Sequence, residues 1–382
     1  MLSSCASRCR LLGSRPLQRR STLPWGQRRY RKPAARAVSV LVLDDWEGLI
    51  HASPAVAALR SKGVSVTTLR PRGPGQLCSR LADLGDGQLA GVNVLVPVRE
   101  RTSPIDAGVF DRMPALELIA QTGGHAYHLD EEEATRRGVL VSMGRGMTAS
   151  GNSVPELTFA LAIAALRSLP QAFSAMHGSS YPTMMGRTLG GKRMGLLGCG
   201  RLGKHVARIA DAFGMDVVAW DRTERGDASA AIPRLPLAEL LATSDVVSIH
   251  LKLSDESRGL LDADKLAHMK PGSVLVTTSR GAIVDEDALA CALSDVDHPL
   301  SAAGLDVFVE EPLPTASPLR QLPNAVMTPH IGFTVEEVFQ QFAAIACRQI
   351  EAYLGGSLPT SEVLNPAALK HSRERVTGSG CL

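Results

Sequence analysis

The stretch RMGLLGCGRLGKHVARIADAFGMDVVAWD, residues 193–221, constrains the fold of this chain more than any other segment. It opens with a short apolar run, passes through three glycines in G-x-G-x-x-G spacing, and then shows apolar residues at helical intervals. A second apolar run and an aspartate close it. These parts predict a buried strand at 194–197, a helix at 202–213 and a second strand at 217–220. Together they form a strand–helix–strand unit of a parallel sheet.

The three glycines have separate physical tasks in such a unit. Gly198 permits a tight turn, Gly200 lets the backbone approach a bound pyrophosphate, and Gly203 lets the helix pack closely on the strand. Arg201 and Leu202 stand at the start of the helix, where backbone N–H groups face phosphate oxygens. The spacing alone also fits an ordinary strand-to-helix turn. Its position between two strands favours a dinucleotide-binding site.

Asp221 ends the second predicted strand, about 20 residues beyond the glycines. A carboxylate at this position accepts hydrogen bonds from the hydroxyl groups of the adenosine ribose. The same negative charge would repel a 2′-phosphate, so the sequence predicts NAD rather than NADP as the cofactor. Arg222 and Arg225 follow at once, and they leave the strictness of that preference open.

Short apolar runs alternate with helical patterns through the rest of the chain, which predicts parallel sheets covered by helices. The first group of predicted strands lies at Val38–Leu43, Val64–Leu69, 92–98, 116–121 and 139–142, with helices at Pro54–Ser61, 106–112 and 130–137. After Asp221 the predicted strands lie at 246–251, 274–277, 302–307 and 326–328, with helices at 237–242, 264–269, 285–294 and 334–353.

This order predicts an α/β protein of two domains. A doubly wound Rossmann domain for NAD, residues 149–332, is inserted in a flavodoxin-like substrate domain formed by residues 37–148 and 333–368. Ser153 and Glu156 form a capping box that predicts the start of a helix. The apolar residues 157–169 after it predict a buried helix, too short to cross a bilayer. Residues 369–382 are expected to be a disordered tail.

Residues 1–36 differ in composition from the rest of the chain. They contain nine arginines and one lysine but no acidic residue, so the net charge of +3 hides an acidic remainder. An Arg-rich, Ser-containing, acid-free N-terminus is typical of an organellar import sequence. We therefore predict a presequence, with an RRY cleavage signal at 28–30 and delivery to the mitochondrial matrix. A plastid sequence, or a disordered tail on a cytoplasmic protein, remain the alternatives.

Composition also argues against several other classes of protein. The seven cysteines include no C-x-x-C pair, so we expect neither a disulfide framework nor a bound metal. Aromatic residues make up only 4% of the chain, which offers no stacking platform for nucleic acid. No apolar run reaches the roughly 18 residues of a membrane span.

Three side chains able to carry chemistry follow late predicted strands, at the edge where open α/β sheets bind ligands. They are Arg280 in TTSRGAIVDEDAL, Glu311 in GLDVFVEEPLP and His330 in TPHIG. An arginine can hold a carboxylate through two parallel hydrogen bonds, and a histidine can transfer a proton near neutral pH. A neighbouring glutamate can fix the tautomer of that histidine. Glu310 stands beside Glu311 and is the competing acid.

With these motifs in view, the chain resembles the D-isomer-specific 2-hydroxyacid dehydrogenases from about residue 40 to residue 369. The resemblance implies Arg280, Glu311 and His330 as catalytic residues, and it implies Gly124, His125 and Arg280 as substrate contacts. It further implies a contact between Asp306 and the nicotinamide carboxamide. Ser279 and His250 are expected beside the cofactor, although His250 is as compatible with a structural role. The family usually forms homodimers through the nucleotide domain, which we expect here also.

Four residues depart from the pattern of that family. His125 and His128 stand where glycine and asparagine are more usual, Lys252 replaces a proline, and Thr277 replaces an asparagine. None of these changes removes a catalytic group. His125 could narrow the substrate pocket, add a positive charge for an acidic substrate, or have no role.

The expected activity is hydride transfer between NAD(H) and the C2 atom of a small D-2-hydroxy acid or 2-oxo acid. The alternative is an NAD(H)-sensing interaction protein of the same fold that has no significant turnover. Other Rossmann enzymes, such as a homocysteine-forming hydrolase or an alanine dehydrogenase, would carry different motifs in place of SRG and TPHIG.

Overall fold

The structure is a computed structural model that describes residues 37–69, 77–98, 104–126, 128–146, 150–178, 181, 185–222 and 232–369. The presequence predicted at 1–36, Arg225 and nearly all of the predicted tail lie outside the described residues. Within the described part, the strands form two parallel sheets, one of five strands and one of six. The predicted α/β class is therefore confirmed.

The first sheet has the strand order β2-β1-β3-β4-β5, which is the flavodoxin-like order. Its strands and three of its five helices follow the sequence prediction, with the later elements one or two residues shorter at their ends, whereas two short helices between residues 77 and 90 were not predicted. The strands are β1 Val38–Leu43, β2 Val64–Leu69, β3 Val94–Val96, β4 Leu118–Ala120 and β5 Leu140–Ser142; the helices are α1 Pro54–Ser61, α2 Leu77–Leu81, α3 Asp86–Ala90, α4 Ala107–Asp111 and α5 Glu131–Arg136.

Two helices lead from the first sheet to the second, α6 Ser150–Arg167 and α7 Leu169–His177. The helix start predicted at Ser153 is wrong, because α6 begins a turn earlier and Pro155 lies inside it. Ser153 and Pro155 are both buried. Packing therefore supports the extra turn in spite of the backbone hydrogen bond that Pro155 cannot make.

Helix α6 packs on the second sheet and buries Phe159, Leu161 and Ala162 in that core. In the described part of the chain, no single helix is long and apolar enough to cross a membrane. Helices α6 and α7, taken together from Gly151 to His177, have the length and apolar composition of a membrane span, but the two helices are bent by 68° relative to each other.

The second sheet has the order β11-β10-β9-β8-β6-β7 and contains the six strands predicted for it. A single parallel bridge from Ala219 to Arg234 lies on the outer side of β7 and marks the place of one more strand. With that position included, the order is that of a doubly wound dinucleotide fold. The strands are β6 Arg193–Leu197, β7 Asp216–Trp220, β8 Val246–Ile249, β9 Ser273–Thr277, β10 Leu300–Leu305 and β11 Ala325–Met327; the helices are α8 Arg201–Ala212, α9 Leu237–Thr243, α10 Ala263–Ala267 and α11 Glu286–Ser294.

The last long helix, α12 Glu336–Gly355, returns to the first sheet. Phe339 and Phe342 of α12 are fully buried in the same core as Val40 and Val56. The unit built on the second sheet is therefore inserted into the unit built on the first, as predicted from the sequence.

Candidate active site

The glycine turn between β6 and α8 has the shape required to hold a pyrophosphate. Gly198 adopts φ +95°, and a Cβ atom there would lie 3.0 Å from the His250 carbonyl group. A Cβ atom on Gly203 would collide with the carbonyl oxygen of Gly198. At Gly200, by contrast, a Cβ atom would meet none of the described atoms within 4 Å. No described side chain caps the N-terminus of α8, so its first N–H groups are available to an anion.

Asp221 lies directly after β7 with both carboxylate oxygens engaged. One oxygen accepts the backbone N–H of Cys199 at 2.7 Å, inside the glycine turn. The other pairs with Nε of Arg234 at 3.0 Å. Arg222 pairs instead with Glu256, at 3.0 Å. No local motif in the sequence marks Arg234, which comes beside Asp221 through the strand bridge to Ala219.

We expect Asp221→Asn to weaken NADH binding about 10-fold and to reduce the preference for NADH over NADPH, because hydrogen bonds to charged groups contribute about 1.5–3 kcal/mol. Loss of the negative charge also removes the repulsion of a 2′-phosphate. Fluorescence titration with both nucleotides measures the two dissociation constants. Asp216→Asn, at the exposed start of the same strand, is the matched control. An unchanged ratio of the two constants would contradict the role of Asp221.

His250 follows β8 and lies beneath the glycine turn. Its Nε2 atom is 2.9 Å from the hydroxyl oxygen of the buried Ser248. Although part of the residue remains accessible, the ring is surrounded by protein, and this desolvation lowers the pKa of His250 to about 4. The imidazole is therefore neutral at physiological pH, and its backbone forms the wall against which Gly198 packs.

This shift makes stability depend on pH. Between pH 6.5 and pH 4 the unfolded chain binds a proton at His250 that the folded protein does not, so stability falls as the pH falls through that window. The expected loss between pH 7 and pH 5 is about 2 kcal/mol. Urea unfolding of the nucleotide-free protein at both pH values measures it, and His250→Gln should lose this component. His268→Gln, which replaces an exposed histidine, should retain this component. If the free energy of unfolding changed equally with pH in both variants, His250 would not be its source.

Arg280 follows β9, and the glycine after it fixes its backbone. A Cβ atom on Gly281 would collide with the backbone of Phe308, so only glycine fits at this contact. The Nη1 atom of Arg280 donates to the Ser279 carbonyl oxygen at 2.6 Å, and Nη2 lies 2.9 Å from Nε2 of His125. The Ser279 hydroxyl in turn donates to the Leu251 carbonyl group.

His330 and Glu311 form a close pair. Nδ1 of His330 is 2.6 Å from one carboxylate oxygen of Glu311, and the other oxygen accepts the backbone N–H of Phe308 at 2.9 Å. The pairing places the imidazole proton on Nδ1 and leaves Nε2, on the opposite side of the ring, for proton transfer. The Phe333 ring packs edge-on against His330 at 5.8 Å between centroids. The acid beside His330 is therefore Glu311 and not the adjacent Glu310.

Asp306 holds the loop that carries His330. This buried carboxylate accepts hydrogen bonds from the Thr328 hydroxyl at 2.6 Å and from the backbone N–H groups of Ile331 and Gly332 at 2.8 and 2.9 Å. His330 itself has a φ of +53°, a left-handed conformation that the loop must stabilise. Burial raises the pKa of Asp306, and these hydrogen bonds oppose the rise. The sequence predicted only a nicotinamide contact for Asp306, so this anchoring role is new.

The predicted substrate loop follows β4. Gly144 packs so closely on it that a Cβ atom would collide with the Thr122 carbonyl oxygen, and its N–H donates to the Gly123 carbonyl at 2.8 Å. These contacts hold the backbone around Gly124 and bring His125 to Arg280. His128 is instead turned to Gln121, at 3.3 Å, so the structure does not place it at Arg280. In the described residues, no group of three or more His, Cys, Asp or Glu could hold a metal ion.

Comparisons with known proteins show the family of the chain. Residues 159–332 match the family model described as D-isomer specific 2-hydroxyacid dehydrogenase, NAD binding domain. A glyoxylate reductase of Korarchaeum cryptofilum is 34% identical over 270 residues, which cover 69% of this chain and 80% of the relative. A D-3-phosphoglycerate dehydrogenase of Mycobacterium bovis is 38% identical over 263 residues, 68% of this chain and 49% of the relative.

A solved structure extends the match to the fold of both sheets. Phosphoglycerate oxidoreductase from Vibrio cholerae is 30% identical, with a TM-score of 0.73, and the match covers 83% of this chain and 99% of that one. Because the matched family model is an NAD-binding domain, NAD is the cofactor of this chain. The chain belongs to the D-isomer specific 2-hydroxyacid dehydrogenase family.

Proposed function

We propose that this protein is an active NAD-dependent dehydrogenase that interconverts a small D-2-hydroxy acid and its 2-oxo acid. The observation that carries the proposal is the arrangement of the His330–Glu311 pair and Arg280 beyond the carboxyl ends of β9, β10 and β11. Open α/β sheets bind their ligands at that edge. A proton donor and a carboxylate-binding cation beside an NAD site are the groups that reduction of a 2-oxo acid requires.

NADH, when bound, supplies the hydride that reduces the C2 atom of the oxo acid. The tasks of the protein are then to bind, to orient and to move one proton. Arg280 binds the substrate carboxylate and polarises the carbonyl oxygen as negative charge develops there. His330 donates the proton from Nε2 to that oxygen, while Glu311 holds the ring and stabilises its charged form. Asp306 keeps the loop of His330 in place through its three hydrogen bonds.

A substrate panel tests the proposal directly. NADH oxidation by the full chain is followed spectrophotometrically with glyoxylate, hydroxypyruvate, pyruvate and longer 2-oxo acids, and we expect turnover with at least one small acid. Glyoxylate and three-carbon acids are the first substrates to test, because the relatives include a glyoxylate reductase and a D-3-phosphoglycerate dehydrogenase. NADH binding without turnover on any of these acids would reject the proposal and favour an NAD(H)-sensing interaction protein.

We also propose that the protein forms a homodimer through the surface around α7. Phe173 and Met176 of α7 are exposed large apolar residues, and so are Tyr181 and Met185 in the segment after it, which are more than 90% accessible. A second copy of the chain would remove this surface from water. Light scattering should give the mass of a dimer, and a Phe173→Glu/Met176→Glu variant should give that of a monomer. A wild-type monomer would contradict the proposal.

The basic residues 1–36 support delivery to the mitochondrial matrix. Fusion of these residues to a fluorescent protein tests this separately from the activity. Matrix fluorescence is the expected result, while plastid or diffuse cytoplasmic fluorescence would assign the segment to one of the alternatives.

A further inference from the structure

Arg280 is held by a contact from the other sheet of the molecule. Its Nη2 atom lies 2.9 Å from Nε2 of His125, which belongs to the loop after β4, whereas Arg280 follows β9. Both side chains are partly buried. This hydrogen bond thus joins the proposed carboxylate-binding arginine to the loop expected to bind the same substrate.

The direction of this hydrogen bond follows from its donors and acceptors. A guanidinium group carries only N–H donors, so the Nε2 atom of His125 must accept with its lone pair. The proton of the neutral imidazole is then on Nδ1. A doubly protonated imidazole would have no acceptor and would place a second positive charge next to Arg280. In this arrangement His125 acts as a hydrogen-bond acceptor and does not provide a cation for an acidic substrate.

Two acceptors among the described residues restrain the Arg280 guanidinium plane. The Ser279 carbonyl oxygen accepts a hydrogen bond from Nη1 at 2.6 Å, and Nε2 of His125 accepts one from Nη2. The start of the His125 loop is itself anchored, because Gly144 packs against Thr122 and its N–H donates to the Gly123 carbonyl oxygen. An arginine side chain otherwise loses considerable rotamer entropy when it is ordered for bidentate binding.

We infer that His125 is a positioning residue that orients Arg280 for the substrate carboxylate and carbonyl oxygen, acting as a neutral hydrogen-bond acceptor. The inference rests on the proposed function for its catalytic consequence, although the hydrogen bond exists without substrate. It also predicts that recognition of a second acidic group on the substrate does not depend on His125.

Three variants separate the acceptor from the bulk of the side chain. His125→Leu keeps much of the volume but removes the acceptor, His125→Gln supplies an oxygen that can accept from Arg280, and His128→Gln alters the neighbouring histidine that contacts Gln121. The measurements are kcat and KM for the best 2-oxo acid, and the dissociation constants of NADH and of oxamate in the presence of NADH.

The expected pattern is specific to a role through Arg280. His125→Leu should lower kcat/KM about 100-fold, the size of effect that a small misplacement produces, and should weaken oxamate binding while leaving NADH binding unchanged. His125→Gln and His128→Gln should stay within a few-fold of the wild type. In an Arg280→Lys background the loss from His125→Leu should largely disappear, because the two residues act as one unit. Equal losses in the Leu and Gln variants, or full additivity with Arg280→Lys, would overturn the inference.

A second readout needs neither turnover nor substrate. Long-range ¹H–¹⁵N spectra of the histidine rings in the nucleotide-free full chain, assigned with His125→Gln, should show His125 protonated on Nδ1 and not on Nε2. The opposite tautomer or a cation at neutral pH would reject the acceptor role. If the wild type has no turnover but shows this tautomer and weaker oxamate binding in the Leu variant, the proposed activity fails while the positioning contact stands. If His125→Gln instead lost turnover of 2-oxo acids with a second carboxylate but kept turnover of those with one, His125 would act as a cation that binds the second carboxylate.

Discussion

Replacing His330 with alanine is expected to reduce kcat by about 10²- to 10⁴-fold, the usual contribution of a positioned acid–base group, and to leave the NADH dissociation constant within a few-fold. The proposed proton donor for the carbonyl oxygen is lost, whereas the glycine turn and Asp221, which are expected to bind the nucleotide, follow other strands. Stopped-flow NADH oxidation and fluorescence titration measure the two quantities on the same preparation. A comparable loss of turnover and NADH affinity would remove the acid–base role.

Two further variants control for folding and for the choice of acid. His330→Asn suits the left-handed backbone at this position better than alanine, so it should be as inactive as the alanine variant but as stable as the wild type. Glu311→Gln should lower kcat strongly, because its oxygen is 2.6 Å from Nδ1 of His330. Glu310→Gln, on the adjacent exposed residue, should be nearly neutral. Reversal of these two effects would assign the role to Glu310.

The second large effect is expected at Arg280. Arg280→Lys keeps the charge but loses the planar pair of donors, so kcat/KM should fall by about 10²- to 10³-fold, as for loss of a group that stabilises a developing oxyanion. Both kcat and KM should change, because the same guanidinium is proposed to bind the carboxylate and to polarise the carbonyl. Steady-state kinetics with the best substrate from the panel provides the measurement.

Arg258→Lys, at an exposed arginine of the same unit, is the matched control and should behave as the wild type. If Arg280 only formed a surface ion pair, the two variants would be alike. Circular dichroism and NADH binding should be unchanged in both, which separates loss of the substrate clamp from loss of the fold.

Local patterns were sufficient to predict most of the architecture. Short apolar runs that alternate with helical patterns located the strands of both sheets, because strands of a buried parallel sheet are rich in apolar residues. The glycine spacing located the nucleotide turn, and Gly198 and Gly203 prove to be positions where a Cβ atom would not fit. The motifs around Arg280, Glu311 and His330 located the polar groups at one sheet edge.

Features that depend on tertiary packing could not be predicted from local sequence patterns. Helices α2 and α3 have only five residues each, too few for a helical period to appear. The start of α6 is decided by the burial of Ser153 and Pro155 and not by the capping box. The partners of Asp221 and Arg280, which are Arg234 and His125, are determined only once the strands are arranged in space.

The insertion of one unit into the other has a consequence for how the protein is made. The core beneath the first sheet is completed by Phe339 and Phe342 of α12, which follow the entire nucleotide-binding unit in the chain. A nascent chain that ends before α12 therefore leaves the apolar side of β1 and α1 uncovered, while the second sheet already has all of its strands. Folding on the ribosome should thus proceed from the middle of the chain outward, and the N-terminal segment is the part that must be protected from aggregation until synthesis is nearly complete.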